Sequence, residues 1–201
     1  NNQTTGGRGN LSFTSINLPR IGILAKRDLN KFYNLLDERL ELSKDALIHR
    51  YNVLKGLKIK DLPFVAGQGL MKGAENLTLD DSIEPILKQG TFSIGFIGLA
   101  EALTVLCGFH HGESDDAQQL GLRIITQMRK DCDILSDRYD LNYTLLATPA
   151  EGLAGRFTRM DKKTYGKIPG VTDKDYYTNS NHVPVWYKCT AKHKAEIEAP
   201  Y

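Results

Sequence analysis

A carboxylate just inside the start of a helix is the residue of this sequence best placed for chemistry. Leu141-Asn142-Tyr143-Thr144-Leu145-Leu146-Ala147 reads as a short buried strand. Thr148-Pro149-Ala150-Glu151 continues it with threonine as N-cap, proline at the first helical position and glutamate at the third. Two readings of Glu151 stay open. It closes a capping box, or it stands where α/β folds hold anionic ligands, because free backbone N–H groups converge at a helix N-terminus that follows an inner strand. In the second reading Thr148, Ala150 and Gly152 supply donors, Glu151 exchanges protons with a substrate, and Arg156, one turn on, adds positive charge.

Other chemistry-bearing residue types are less directive. His110-His111-Gly112-Glu113-Ser114 has metal-binding side chains, yet adjacent histidines cannot both face one ion from a helix. Capping or substrate contact is therefore the expectation, and no metal is assigned to the chain. Tyr176-Tyr177-Thr178-Asn179-Ser180-Asn181-His182-Val183-Pro184-Val185 is a polar, aromatic loop entering a β-like segment, Val185 to Tyr187, and it either lines a pocket or braces the fold. Cys107, Cys132 and Cys189 are an odd number without CxxC spacing, which encodes neither a disulfide framework nor a zinc knuckle. They are expected as buried or semi-buried thiols. Gly95 and Gly98 have GxxG spacing without the full dinucleotide-binding pattern, so close backbone packing explains them better. No Ser-His-Asp order, P-loop or EF-hand occurs.

Elements must hold these residues, and the composition supports them. With 201 residues, 41% of them hydrophobic and 25% charged, the chain can bury one sizeable core or a large part of a bigger one. The net charge of +2 is spread evenly, without the basic arm that binding a nucleic-acid polymer requires. No apolar run approaches the roughly 20 residues that cross a bilayer, and the first ten residues lack the apolar core of a signal peptide. A cytoplasmic location is expected. The start, a Gly-rich turn running into Leu11 to Ile16, and the abrupt close at Glu198-Ala199-Pro200-Tyr201 suggest a segment of a larger enzyme.

Periodicity alternates between strand and helix, which defines an α/β fold class. Leu11 to Ile16 and Ile21 to Leu24 read as extended, broken at Pro19. Asp28 to Lys55 carries apolar residues at three- and four-residue steps and predicts one long amphipathic helix, or two in tandem, ended by Gly56. A Gly-rich connection follows, and then a short helix over Asp80 to Lys88, interrupted near Pro85. Thr91 to Leu103 is small and apolar on nearly every side, as for a strand or turn entering a fully buried helix. Ser114 to Tyr139 predicts a second long helix with an acidic start.

Several segments, in order, resemble the anaerobic ribonucleoside-triphosphate reductase family. They are Gly7-Arg8-Gly9-Asn10, Ser15-Ile16-Asn17-Leu18-Pro19-Arg20-Ile21, His111-Gly112-Glu113-Ser114, Ala147 to Phe157, Ile168-Pro169-Gly170-Val171-Thr172-Asp173, Tyr177-Thr178-Asn179-Ser180 and His182-Val183-Pro184-Val185. The matches span nearly the whole chain, although Asp28 to Gly90 contributes little. The TPAEGLAGRF and IPGVTD segments together are not expected of another glycyl-radical enzyme such as a formate-lyase relative. That class and a non-catalytic α/β nucleotide-binding scaffold both stay open as alternatives.

The resemblance implies part of a ten-stranded α/β barrel of the glycyl-radical type, with residues 1–201 forming a partial catalytic barrel domain. This segment would begin after the thiyl-cysteine loop and end before the glycyl-radical segment. It implies reduction of ribonucleoside triphosphates to deoxyribonucleotides by radical chemistry, with formate as reductant. Beyond these residues it implies a glycyl radical generated by an S-adenosylmethionine-dependent activase, a zinc site and a homodimer. By the same resemblance Asn10 or Asn17 would hydrogen-bond the ribose, with Asn10 preferred, and His111 would contact substrate. Glu151 would assist proton transfer, and the start of its helix would hold phosphates. The segment by itself is expected to be inactive.

Overall fold

The computed structural model describes residues 9–201, so the N-terminal Gly-rich turn, with Gly7 and Arg8 of the first resembling segment, lies outside the described residues. Strand β1 (Asn10–Asn17) runs into helix α1 (Leu18–Ala25) and then α2 (Leu29–Leu54). Short helices α3 (Pro63–Gly67) and α4 (Glu84–Leu87) punctuate the connection to β2 (Thr91–Ile97). Helices α5 (Leu99–Cys107) and α6 (Asp115–Tyr139) lead to β3 (Asn142–Ala147), followed by α7 (Glu151–Tyr165) and α8 (Ala191–Glu198). The three strands form one parallel sheet in the order β1-β2-β3. Parallel neighbours need long crossovers, and the long helices supply them.

Strand alternation gives this sheet two unlike faces. In register across one face stand Thr14, Ile94 and Leu145, then Ile16, Phe96 and Ala147, with Phe92 beside Tyr143 nearer the start. This face joins the main core with Phe32, Leu36, Leu40 and Leu47 of α2 and Ile124, Met128 and Leu135 of α6. The opposite face carries Ser15, Ser93, Gly95 and Thr144.

The long helices begin where the sequence places them. The side chain of Asp28 accepts from Lys31 N at the start of α2, and that of Ser114 accepts from Ala117 N at the start of α6. Asp28 to Lys55 forms a single helix. Three expectations need correction. Ile21 to Leu24 is helical, because the Asn17 side chain caps α1 and Pro19 occupies its first turn, where a missing N–H costs nothing. Pro85 opens α4 for the same reason and does not interrupt it. Val185 to Tyr187 is a turn closed by Tyr187 N donating to Pro184 O, with Val185 exposed, so no strand forms there. Helix α8, capped by Thr190, has no counterpart in the sequence reading.

Candidate active site

Helix α7 begins just after the carboxyl end of β3, and its Asp161 meets Asn17 at the carboxyl end of β1; one small residue between these two strands makes the arrangement possible. Gly95, in the middle strand, has no side chain. A Cβ there would lie 1.9 Å from Thr148 Oγ1 and 2.8 Å from Ser15 Oγ. Into that space Thr148 reaches across β2 to Ser15, with the two hydroxyls 3.0 Å apart. Ser15 stands two residues before Asn17 and Thr148 three before Glu151, so Asn17 and Glu151 are brought to the same end of the sheet. Gly98, just beyond β2, adopts φ +80° in turning into α5, and a Cβ there would strike Pro19.

The same contact overturns the capping box. The Thr148 hydroxyl pairs with that of Ser15, and α7 starts later, with Ala150 at the N-cap, no side-chain cap, and Ala154 N donating to Ala150 O. The first-turn N–H groups without helical acceptors are those of Glu151, Gly152 and Leu153, so of the three donors expected from sequence only Gly152 lies within the first turn. Thr148 and Ala150 are buried beneath it. Glu151 is exposed at the positive end of the helix dipole. Arg156 is also exposed, but five residues on it lies roughly 140° around the helix from Glu151, so it does not share that face.

Asn10 and Glu151 are at opposite ends of the sheet. Asn10 pairs with Thr91 at the beginning of the strands, whereas Asn17 pairs with Ile97 at their end. At about 3.3 Å per residue the seven steps between the asparagines span roughly 23 Å, so the two candidate ribose contacts, Asn10 and Asn17, stand at opposite ends of β1.

Asn17 is held by a buried carboxylate that the sequence reading did not single out. Asp161 of α7 has no exposed side-chain surface. Its Oδ2 accepts from Asn17 Nδ2 at 2.8 Å and from the Tyr177 hydroxyl at 2.8 Å, and its Oδ1 accepts from Arg20 Nε at 2.5 Å. Burial, with the Asp161 charge beside it, raises the Tyr177 phenol pKa well above its ordinary value. A visible signal was the Ala154, Thr158, Asp161 spacing, which sets a charge on the buried face of α7.

The Tyr176–Val185 loop both braces the fold and lines a pocket. Gly98 N donates to Thr178 O and Leu99 N to Ser180 O, and Asn179 bridges to Ile97. Buried Glu101 accepts from Thr178 N at 2.8 Å and from Thr178 Oγ1 at 2.7 Å. Desolvation pushes the Glu101 pKa up to about 7, against hydrogen bonds from Thr178 that lower it, and its Oε2 has no partner among the described residues. A lone carboxylate in the apolar run Leu99 to Leu103 was the sequence signal for it. This loop, a strap over the sheet end, and α7 border a cavity of about 380 Å³ lined by Glu151, Tyr177, Thr178, Asn179, His182 and Lys194.

His111 stands apart from this cavity. Its ring is fully buried, lies 5.6 Å from the Tyr201 ring and is 2.9 Å through Nε2 from Asn181 O. Burial lowers its pKa to about 4, so the ring is neutral and serves the loop packing, with no surface for the substrate contact expected of it. Neighbouring His110 accepts from Gly112 N at 3.0 Å, the local capping role anticipated for this pair. Cys132 is buried, while Cys107 and Cys189 are exposed, contrary to the expectation of buried thiols. Among the described residues no group of three or more His, Cys, Asp or Glu side chains could hold a metal ion, and no helix is long and apolar enough to cross a membrane.

Parallel strands with a polar face, and a helix N-terminus and carboxylate over their carboxyl ends, define an α/β segment of the kind that builds enzyme sites. Residues 1–201 match the family model for anaerobic ribonucleoside-triphosphate reductase, and the chain belongs to that family. It is 39% identical over 198 residues to the anaerobic ribonucleoside-triphosphate reductase of Salmonella typhimurium, covering 97% of this chain and 28% of that protein. It is 35% identical over 206 residues to the one from Enterobacteria phage T4, covering 100% of this chain and 32% of that protein. The chain thus spans about a third or less of the relatives it matches. The fold is similar to that of the Thermotoga maritima anaerobic ribonucleotide reductase with glycerol in the active site, with a TM-score of 0.74 at 18% identity over 95% of this chain and 29% of that one.

Proposed function

We propose that this chain forms part of the substrate wall of an anaerobic reductase that converts ribonucleoside triphosphates to deoxyribonucleoside triphosphates. The observation that carries the reading is the Ser15–Thr148 contact over Gly95, which gathers Asn17, Glu151 and the first turn of α7 at one end of the sheet. The Asn17 amide hydrogen-bonds a ribose hydroxyl without ionising. Glu151, exposed and reachable by solvent, exchanges a proton with the substrate or co-substrate. The N–H groups of Glu151, Gly152 and Leu153 favour phosphate oxygens. Structural neighbours from Thermotoga maritima described with dATP and CTP support nucleotides as the ligand class.

The three strands would be part of a ten-stranded barrel in a cytoplasmic, dimeric protein. Radical chemistry would come from outside these residues, supplied by a glycyl radical made by an S-adenosylmethionine-dependent activase. Zinc would lie beyond them too, and formate would be the reductant, in keeping with a carboxylate at Glu151. The test is Glu151→Gln in the full-length protein, activated anaerobically and given nucleoside triphosphate and formate. Deoxynucleotide formation is expected to fall about 10²- to 10⁴-fold; unchanged formation would remove Glu151 from the mechanism.

A further inference from the structure

We propose that Asp161 is a positioning residue that sets which atoms the Asn17 amide presents to a substrate, an inference that rests on Asn17 being the ribose contact. An asparagine amide has a donor end and an acceptor end of nearly the same shape, and its usefulness depends on which faces where. Here both ends are constrained. Asn17 Oδ1 accepts from Arg20 N at 3.1 Å, capping α1, and Nδ2 donates to Asp161 Oδ2 at 2.8 Å. Rotating the amide by half a turn would set Oδ1 against a carboxylate oxygen and Nδ2 against a backbone N–H, exchanging two attractions for two repulsions. The environment therefore determines the orientation.

Asp161 is itself immobilised. Its carboxylate has no exposed surface and is gripped from three directions, by β1 through Asn17, by α1 through Arg20 and by the strap through the Tyr177 hydroxyl. The Arg20 guanidinium balances its charge, which permits its burial. Asn17 remains half-buried and borders a groove of about 340 Å³ between β1, α1 and α2, distinct from the cavity lined by Glu151. What Asn17 has left is one Nδ2 hydrogen and one lone pair of Oδ1, the complement of a hydroxyl that both accepts and donates. A change at Asp161 would redirect this pair without touching the substrate.

A double-mutant cycle in the full-length protein distinguishes this role from simple support of the fold. Asn17→Ala, Asp161→Asn and the double variant are assayed anaerobically after activation, with kcat and KM determined separately and folding checked by thermal unfolding. Each single change is expected to lower kcat by about 10²-fold with a smaller effect on KM, and the double variant to be no worse than Asn17→Ala alone. Losses that multiply in the double variant would show that Asp161 acts independently of Asn17 and would overturn the proposal. So would full activity of Asp161→Asn alongside an impaired Asn17→Ala. If Asn17→Ala retains full activity, the ribose-contact reading itself fails. Should Asp161→Asn not fold, Asp161→Glu, which keeps the charge opposite Arg20 but displaces the carboxylate by one methylene, takes its place in the same cycle with the same criteria.

Discussion

The two faces of the parallel sheet are made from alternate residues of the same three strands and follow different rules. On one face Phe92, Ile94, Phe96 and Ile16 are almost wholly buried against α2 and α6, and their work is to exclude water. On the other, Ser15 meets Thr148 and Ser93 meets Thr144 through hydroxyl pairs, with Gly95 between them. A single-residue slip of register would exchange these sets, so the apolar face indirectly determines where the polar one stands. The comparison teaches that the site is anchored from behind, by a core that takes no part in its chemistry.

Breaking the apolar face should have the largest effect on stability. Phe92 is 1% exposed and packs edge-on against Tyr51 at 5.9 Å, with Tyr143 at 6.1 Å. Phe92→Ala is expected to cost about 3–5 kcal/mol, read from denaturant unfolding; a cost near zero would contradict the assigned core. Next comes Gly95→Ala. Its new Cβ would meet Thr148 Oγ1 at 1.9 Å, and the overpacking should cost about 1–3 kcal/mol. Because Thr148 must leave Ser15, activity should fall as well, whereas a variant as active as the parent would show that the Ser15–Thr148 contact does not organise the site. Ser93→Ala leaves the Thr144 hydroxyl, 3.1 Å away in the parent, without this partner. Its expected cost is roughly 1 kcal/mol, and the same unfolding measurement would reveal a larger role if the loss proved several-fold greater.

The smallest net effect is on pH dependence, because two buried groups oppose each other. The His111 pKa is lowered by burial from 6.5 to about 4, so its folded form resists protonation and stability is lost as pH falls between those values. The Glu101 pKa is raised from 4.5 to about 7, so its stability contribution is complete below the lower value and is lost as pH rises through the upper one. Between about 4.5 and 6.5 the slopes offset. Glu101→Gln should remove the second slope, leaving the His111 slope alone, so that this variant gains stability from pH 5 to pH 8 where the parent does not. Denaturation midpoints at those two pH values would test it, and identical slopes in both proteins would argue against Glu101 as the titrating group.

Local pattern alone determined much of this protein. The three-residue and four-residue steps of α2 and α6, their starts at Asp28 and Ser114, and the dense apolar run of β2 into α5 were legible because periodicity is a property of neighbours in sequence. The passage from strand to helix around Thr148–Glu151 was legible for the same reason. What Thr148 does was not, because its hydroxyl chooses between its own helix and Ser15, 133 residues away, and Gly95 decides that choice from a third strand. The places of Asn10 and Asn17 likewise awaited the register, which sets these two chemically identical side chains at opposite ends of β1, seven steps apart. Asp161 gains its meaning only when α7 brings it against β1, α1 and Tyr177, since a buried charge is recognised by partners that no spacing along the chain reveals.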